Sequence, residues 1–390
     1  MNISDRLTRI KPSATLAVNA KALELKARGV KVVSLAVGEP DFGTPAHICE
    51  AAKRAIDEGF TRYTPVPGII ELREAVAGYF GRCYGVEAPA EATIVTNGGK
   101  QALYNLFQAL LNPGDEVLVP APYWVSYPAL VQLAEGVPVF VPSPAERGFK
   151  ITPAELDAHR TPRTRVLLLN SPSNPTGACY TREEMDALMQ WAVDHDIFVI
   201  ADEIYDRLVY GDMQPVSVSG WWQRFPDRVA VVNGLAKTFA MTGWRVGYVL
   251  AHPDLVKAVA KIQGQSTSNI CSIAQKAALA ALTGPYDAVE EMRCAFVRRR
   301  DLAYDIISGW KDVVCPRPDG AFYLFADIHR HYNASMPDSA AVCTRLLEEA
   351  QVALVPGSAF GDDKCIRFSY AVADDVLEDA LSRVAKVLFG

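Results

Sequence analysis

Several things are missing from this chain, and each absence removes a class of function. No stretch approaches the ~18 consecutive apolar residues of a membrane-spanning helix. There is no C-x-x-C pair. The eight cysteines (Cys49, Cys83, Cys179, Cys271, Cys294, Cys315, Cys343 and Cys365) are scattered, which suits reduced thiols better than a disulfide framework. Basic charge is not in excess: 39 Lys and Arg against 45 Asp and Glu leave a net charge of −6, without the footprint of a nucleic-acid partner. The opening residues, MNISDRLTRIKPSAT, carry no apolar core after their basic positions, so a secretory signal is not expected and the expected location is cytoplasmic. His329-Arg330-His331 has only Asp327 beside it, too little for a metal centre. No internal repeat or low-complexity tract is visible.

What is present is a soluble globular composition, half apolar and 22% charged, spread over 390 residues, a length that favours two domains. From about Ala92 buried-strand patterns alternate with helical ones. TIVTN, EVLVP, VPVFVP, RVLLLN and DIFVIADEIY read as strands. Helices are marked by Asn112-Pro113-Gly114 at one C-terminus and by capping boxes at Thr152-Pro153-Ala154-Glu155 and Thr181-Arg182-Glu183-Glu184. This alternation predicts an α/β fold with a mostly parallel sheet covered on both faces. After about residue 285 the character changes to a long helix from Asp287 toward Gly309, then shorter strands and helices in an α+β arrangement. The expected division is therefore a large domain over 46–285 and a small domain over 286–390, joined by the N-terminal arm, 1–45. Arg298-Arg299-Arg300 in the long helix reads as a solvated or inter-element face.

The stretch VAVVNGLAKTFAMTGWRVGYVLA, residues 229–251, holds the most pointed chemistry. A β-branched strand runs into the turn Asn233-Gly234, and a lone lysine, Lys237, follows among Leu235, Ala236, Phe239 and Ala240. Burial disfavours the ammonium and lowers its pKa, which activates an amine as a nucleophile toward a carbonyl. The plainer alternative is a lysine that snorkels its charge outward. In open α/β sheets ligands bind beyond the carboxyl ends of the strands. The polar residues just past the predicted strands are Gly98-Gly99-Lys100, Tyr123-Trp124, Asn174, Asp202 with Tyr205, and Lys237 with Arg245. Gly98-Gly99 before a helix offers backbone N–H groups and a positive dipole end to an anion. Asp202, ending the apolar run FVIAD, needs a cationic or donor partner; a structural helix cap is its competing role. Trp124 is either core or a flat plate for a planar ligand. An anion seat, a plate, a buried carboxylate and an activated lysine are together what pyridoxal phosphate requires.

These residues lie within longer blocks: KPSATLAVNAKALEL, VGEPDF, YTPVPGIIELREA, GGKQALYNLFQALLNPGDEV, PYWVSYP, NSPSNPTG, ADEIYDRLVY, AKTFAMTGWRVGY, GAFY and RFSYA. Through them nearly the whole chain resembles the class I, fold-type I pyridoxal-phosphate aminotransferases, in particular the prokaryotic aspartate aminotransferase subgroup of aspartate/prephenate type. The resemblance implies covalent attachment of the cofactor at Lys237, which then also moves the proton. It implies Asp202 at the pyridine nitrogen, Tyr205 and Asn174 at the ring oxygen, Trp124 stacked on the ring, and Arg245 with the amides of Gly99 and Lys100 on the phosphate. Tyr63 is implied to reach the phosphate of a neighbouring subunit, hence a homodimer. Arg367 is implied to grip the substrate α-carboxylate, with Asn174, Trp124 and the Gly38 backbone assisting.

For a second, distal carboxylate the resemblance points to Lys100, with Lys11 and Thr15 at the pocket mouth; relatives carrying a lysine at position 11 often accept prephenate as well as oxaloacetate. One departure stands out. Many relatives place a serine or threonine three residues before the lysine, where this chain has Gly234. The implied reaction is amino transfer between L-aspartate and 2-oxoglutarate, with prephenate as a further acceptor. An aromatic or broad-range aminotransferase, a carbon–sulfur lyase with the same residues, and a ligand-sensing regulator built on this fold are the competing readings.

Overall fold

The computed structural model describes residues 3–10, 12 and 14–390. Its strands, in chain order, are β1 (Val33–Ser34), β2 (Thr93–Thr96), β3 (Glu116–Ala121), β4 (Val137–Pro142), β5 (Thr164–Asn170), β6 (Phe198–Asp202), β7 (Val229–Gly234), β8 (Gly247–Leu250), β9 (Tyr323–Asp327), β10 (Val352–Ala353), β11 (Val355–Pro356) and β12 (Cys365–Ser369). Seven of them form one sheet in the order β2-β8-β7-β6-β5-β3-β4. The β3–β4, β3–β5, β5–β6 and β6–β7 pairs are parallel; β8 alone runs against its neighbours.

Both faces of this sheet are buried, which is why its strands are nearly continuous apolar runs rather than alternating ones. Successive side chains nevertheless separate by face. Val117, Val119, Val166, Leu168, Ile200 and Val232 pack with Leu103, Leu106 and Phe107 of the helix Gly99–Leu110. Leu118, Leu167, Leu169, Val199, Val229 and Val231 pack against Val76 and Phe80 of the helix Ile70–Tyr84 and Leu188 of the helix Arg182–Asp194. The latter helix begins at the expected capping box, in which Thr181 Oγ1 accepts from Glu184 N at 3.2 Å and Thr181 N donates to Glu184 Oε2 at 2.8 Å.

The C-terminal part builds a second core on a three-stranded antiparallel sheet, β11-β12-β9. The N-terminal segment joins it, because β1 pairs in parallel with β10. The arginine triplet is divided between two environments. Arg299 and Arg300 are buried, and Arg299 bridges Asp41 at 2.7 Å and Asp374 at 3.0 Å, whereas Arg298 is exposed. No helix among the described residues is long and apolar enough to cross a membrane.

What the fold does for function is set by strand register. Asn170 pairs with Asp202, and Asp202 with Val232, so the carboxyl ends of β5, β6 and β7 lie level. The reversed direction of β8 brings its first residue, Gly247, to the same edge, where it pairs with both Gly234 and Thr96. There is no space there for a side chain. A Cβ on Gly247 would lie 2.4 Å from the Gly98 carbonyl carbon and the Gly99 nitrogen. Gly247→Ala is therefore expected to displace the Gly98-Gly99 turn and to cost about 1–3 kcal/mol through overpacking, seen as a lowered unfolding midpoint in calorimetry.

Candidate active site

The level strand ends open into a cavity of about 420 Å³. Its lining includes Gly38, Gly99, Lys100, Trp124, Asn174, Asp202, Tyr205, Lys237, Arg245 and Arg367, drawn from eight separate chain segments. Two expected residues stand apart. Tyr63, on the proline-rich loop 61–68, is 92% exposed and does not line this chain's cavity. Lys11 lies outside the described residues, although Thr15 does reach the cavity.

Lys237 follows β7 and projects its amine into the cavity, where Nζ donates to the Gly38 carbonyl. Burial lowers its pKa to about 8; Glu39 and Asp202 favour the charged form, and Arg367 and Arg245 oppose it. Asp202 ends β6 with its carboxylate buried. Desolvation raises its pKa to about 6, against the pull of three stabilising influences: a hydrogen bond from Tyr127 Oη to Oδ2 at 2.7 Å, one from Ile204 N to Oδ1 at 3.3 Å, and the charge of Lys237.

Gly98 precedes the helix Gly99–Leu110 with φ +83°, a conformation that suits glycine, and a Cβ there would lie 2.5 Å from Arg245 Nη2. The arginine thus lies directly over the turn, held by Nη1 donating to Thr242 O at 2.9 Å. Gln101 N and Ala102 N make the first helical bonds, to Gly98 O, which leaves the Gly99 and Lys100 amides at the mouth of the helix dipole. The Lys100 ammonium sits 4.9 Å from the Trp124 ring centroid, and burial lowers its pKa, with Arg245 adding to the effect.

Arg367 comes from the middle of β12 and is only 2% exposed. It donates from Nη1 to Asn174 Oδ1 at 2.9 Å and from Nη2 to Ala36 O at 2.6 Å, while Nε is buried without a hydrogen-bond partner. Its guanidinium lies against the Tyr323 and Phe360 rings, at 4.5 and 5.0 Å. A buried guanidinium at a cavity wall has the planar donor geometry that suits a carboxylate. Asn174 is itself fixed, its N–H donating to Asn170 Oδ1 at 2.9 Å.

Three contributors escaped sequence reading. Tyr127 supplies the donor that Asp202 requires, and its place three residues after Trp124, at the start of the helix Tyr127–Leu133, was the available signal. Tyr323 bonds Tyr205 through their hydroxyls at 2.9 Å and packs on Arg367; Asn170 orients Asn174. Both lie within the motif blocks, Tyr323 ending GAFY and Asn170 opening NSPSNPTG, which was the available signal. At Gly234, where the chain departs from many relatives, a Cβ would lie 2.8 Å from Val246 O, so a hydroxyl-bearing side chain would need the local backbone to shift.

A family model described as aminotransferase class I and II matches residues 30–384. An aspartate/prephenate aminotransferase of Cereibacter sphaeroides is 49% identical over 98% of this chain and 97% of that protein. An aspartate aminotransferase of Geobacillus stearothermophilus is 45% identical over 100% and 99% of the two. The structure titled aspartate aminotransferase from Thermus thermophilus with maleate superposes with a TM-score of 0.94 at 47% identity, covering 99% of this chain and all of that one. The chain belongs to the class I and II aminotransferases.

An amine with a pKa near 8 has a measurable consequence. In the cofactor-free protein, the rate at which trinitrobenzenesulfonate modifies Lys237 should rise with pH and level off above about 8, as the neutral amine becomes the main form. A plateau only near the ordinary lysine pKa of about 10.4 would show an amine that burial has not perturbed.

Proposed function

We propose that this enzyme is a pyridoxal-phosphate-dependent aminotransferase that moves the amino group between L-aspartate and 2-oxoglutarate, giving oxaloacetate and L-glutamate. Prephenate is proposed as a further amino acceptor, on the strength of the aspartate/prephenate relatives. One observation carries the substrate class: a single cavity presents two cationic groups, Arg367 and Lys100, in addition to the reactive Lys237 and the turn-capping Arg245. A dicarboxylic amino acid needs two such grips, and maleate, named with the Thermus thermophilus structure, is itself a dicarboxylate.

The donor set fits the cofactor. Gly98-Gly99 makes a cradle that a side chain would fill, Arg245 and the Gly99 and Lys100 amides suit a phosphate, and Asp202 is a buried carboxylate for a ring nitrogen. Trp124 would stack on the ring, with Asn174 and Tyr205 at its oxygen. When bound, the cofactor draws electrons from the substrate α-carbon and makes its proton removable.

The chain's own residues then divide the work. Lys237, partly neutral near pH 8, is the group that would hold the cofactor aldehyde, and its Nζ would accept the substrate α-proton and give it back. Arg367 holds the α-carboxylate through its in-plane donors, and Asn174, which already holds that guanidinium, keeps the fork aligned. Lys100 holds the distal carboxylate against the Trp124 face. Tyr127 keeps Asp202 oriented and charged.

We further propose that residues 46–285 form the large domain and that 1–45 with 286–390 form the small one. The enzyme is proposed to work as a homodimer in which Tyr63, exposed in the single chain, reaches the neighbouring site. A cytoplasmic location completes the reading.

The test is a half-reaction followed by loss of the cofactor's absorbance near the enzyme's visible maximum. Aspartate and glutamate should convert the cofactor rapidly and phenylalanine slowly; arogenate conversion would support the prephenate role. Fast conversion by phenylalanine and none by aspartate would make the aromatic reading correct. Arg367→Ala should lower kcat/KM for every amino acid by about 100-fold or more. Lys100→Met should lower it about 10- to 100-fold for aspartate and glutamate while sparing alanine.

A further inference from the structure

The turn Gly38–Thr44 is fastened to both halves of the enzyme. Toward the large sheet, Lys237 Nζ donates to Gly38 O, and Thr242 Oγ1 donates to Glu39 Oε2 at 2.9 Å. Thr44 Oγ1 donates to Ala240 O at 2.9 Å and accepts from Trp244 Nε1 at 2.9 Å. Toward the C-terminal core, Arg299 Nη1 donates to Asp41 at 2.7 Å, and Phe42 meets Phe296 edge-on with centroids 5.7 Å apart. The glycine and proline of this turn shape its backbone, but a turn has no need of a carboxylate at position 39. Glu39 is exposed, yet its carboxylate folds onto Thr242, which lines the same cavity as Gly38 and Lys237.

We propose that Glu39 is a positioning residue for Lys237: held by Thr242, it fixes the carbonyl on which the amine rests and sets beside it a negative charge that helps the nitrogen hold the proton it must return. This inference rests on the reading of Lys237 as the proton carrier.

The groups that face Lys237 set the direction of the effect. Glu39 and Asp202 favour a proton on its nitrogen, with Glu39 the strongest of the charges, while Arg367 and Arg245 disfavour it. The Tyr205 and Phe322 rings lie 6.0 and 5.8 Å from Nζ, and the phenol of Tyr323 also lies within the field of Glu39. Removing the Glu39 charge leaves the two arginines opposed only by Asp202. The nitrogen then releases its proton at lower pH.

The experiment is a pH titration of the cofactor absorbance in the wild-type holoenzyme and in Glu39→Gln, Glu39→Asp and Thr242→Val, alongside steady-state kinetics with aspartate. Glu39→Gln should move the midpoint down by about half a pH unit or more, with kcat lowered about 3- to 10-fold and KM within about 2-fold. Glu39→Asp should restore most of the shift. Thr242→Val, which removes the hydrogen bond that holds the carboxylate in place, should move the midpoint in the same direction by less. An unmoved or raised midpoint in a folded Glu39→Gln holoenzyme overturns the proposal even if activity falls. If Glu39→Gln does not fold, an unmoved midpoint in Thr242→Val overturns it instead. A wild-type holoenzyme without cofactor absorbance would refute the role of Lys237 itself, an outcome distinct from failure of the Glu39 substitution alone.

Discussion

Everything at this site depends on the level register of β5, β6 and β7. Parallel pairing places Asn170 beside Asp202 and Asp202 beside Val232. The three strands therefore release their chains at one height, and each exit carries a polar group that the strands themselves cannot accommodate. A shift of one residue in any pair would turn those groups into the apolar layers on either face. The antiparallel β8 completes the edge by returning Arg245 to the same level. It can do so because Gly98, Gly234 and Gly247 leave no side chain where three backbones converge.

Burial then gives these groups their chemistry. Apolar surroundings push the Lys237 amine down to about 8 and the Asp202 carboxyl up to about 6, so both pKa values move toward neutrality from opposite sides. Each shift is limited by neighbouring groups: Tyr127 and the Ile204 amide hold Asp202, and Glu39 supports a proton on Lys237. Arg367 is handled differently. It is too basic to lose its proton, so its burial is balanced by Asn174, Ala36 O and two aromatic faces. Its Nε is buried without a hydrogen-bond partner.

Much of this was legible in the sequence because it is local. Apolar runs of the right length marked the strands, capping boxes marked the helices, and the residues just past the strands gave a short candidate set, all of which except Gly98 and Tyr123 line the cavity. The resemblance of the motif blocks added Arg367, which was not among the residues picked out past the predicted strands. In the structure β12 is the middle strand of its sheet, with Arg367 opposite Val355 on one side and Phe325 on the other. The arginine triplet is a similar case. Its composition suggested a face, yet only the packing of the long helix against Asp41 and Asp374 buried Arg299 and left Arg298 in water.

The α/β class, the candidate lysine and carboxylate, and the phosphate-suited turn follow from local signals, because periodicity, capping and glycine conformations act over a few residues. Tertiary structure alone decided which distant groups meet. Tyr127 reaches Asp202 across 75 residues, Tyr323 reaches Tyr205 across 118, and Asn174 reaches Arg367 across 193. Such pairs answer a requirement that the sequence states without solving: a buried polar group must find a partner. Which partner it finds depends on strand order and on how the two cores close over one cavity.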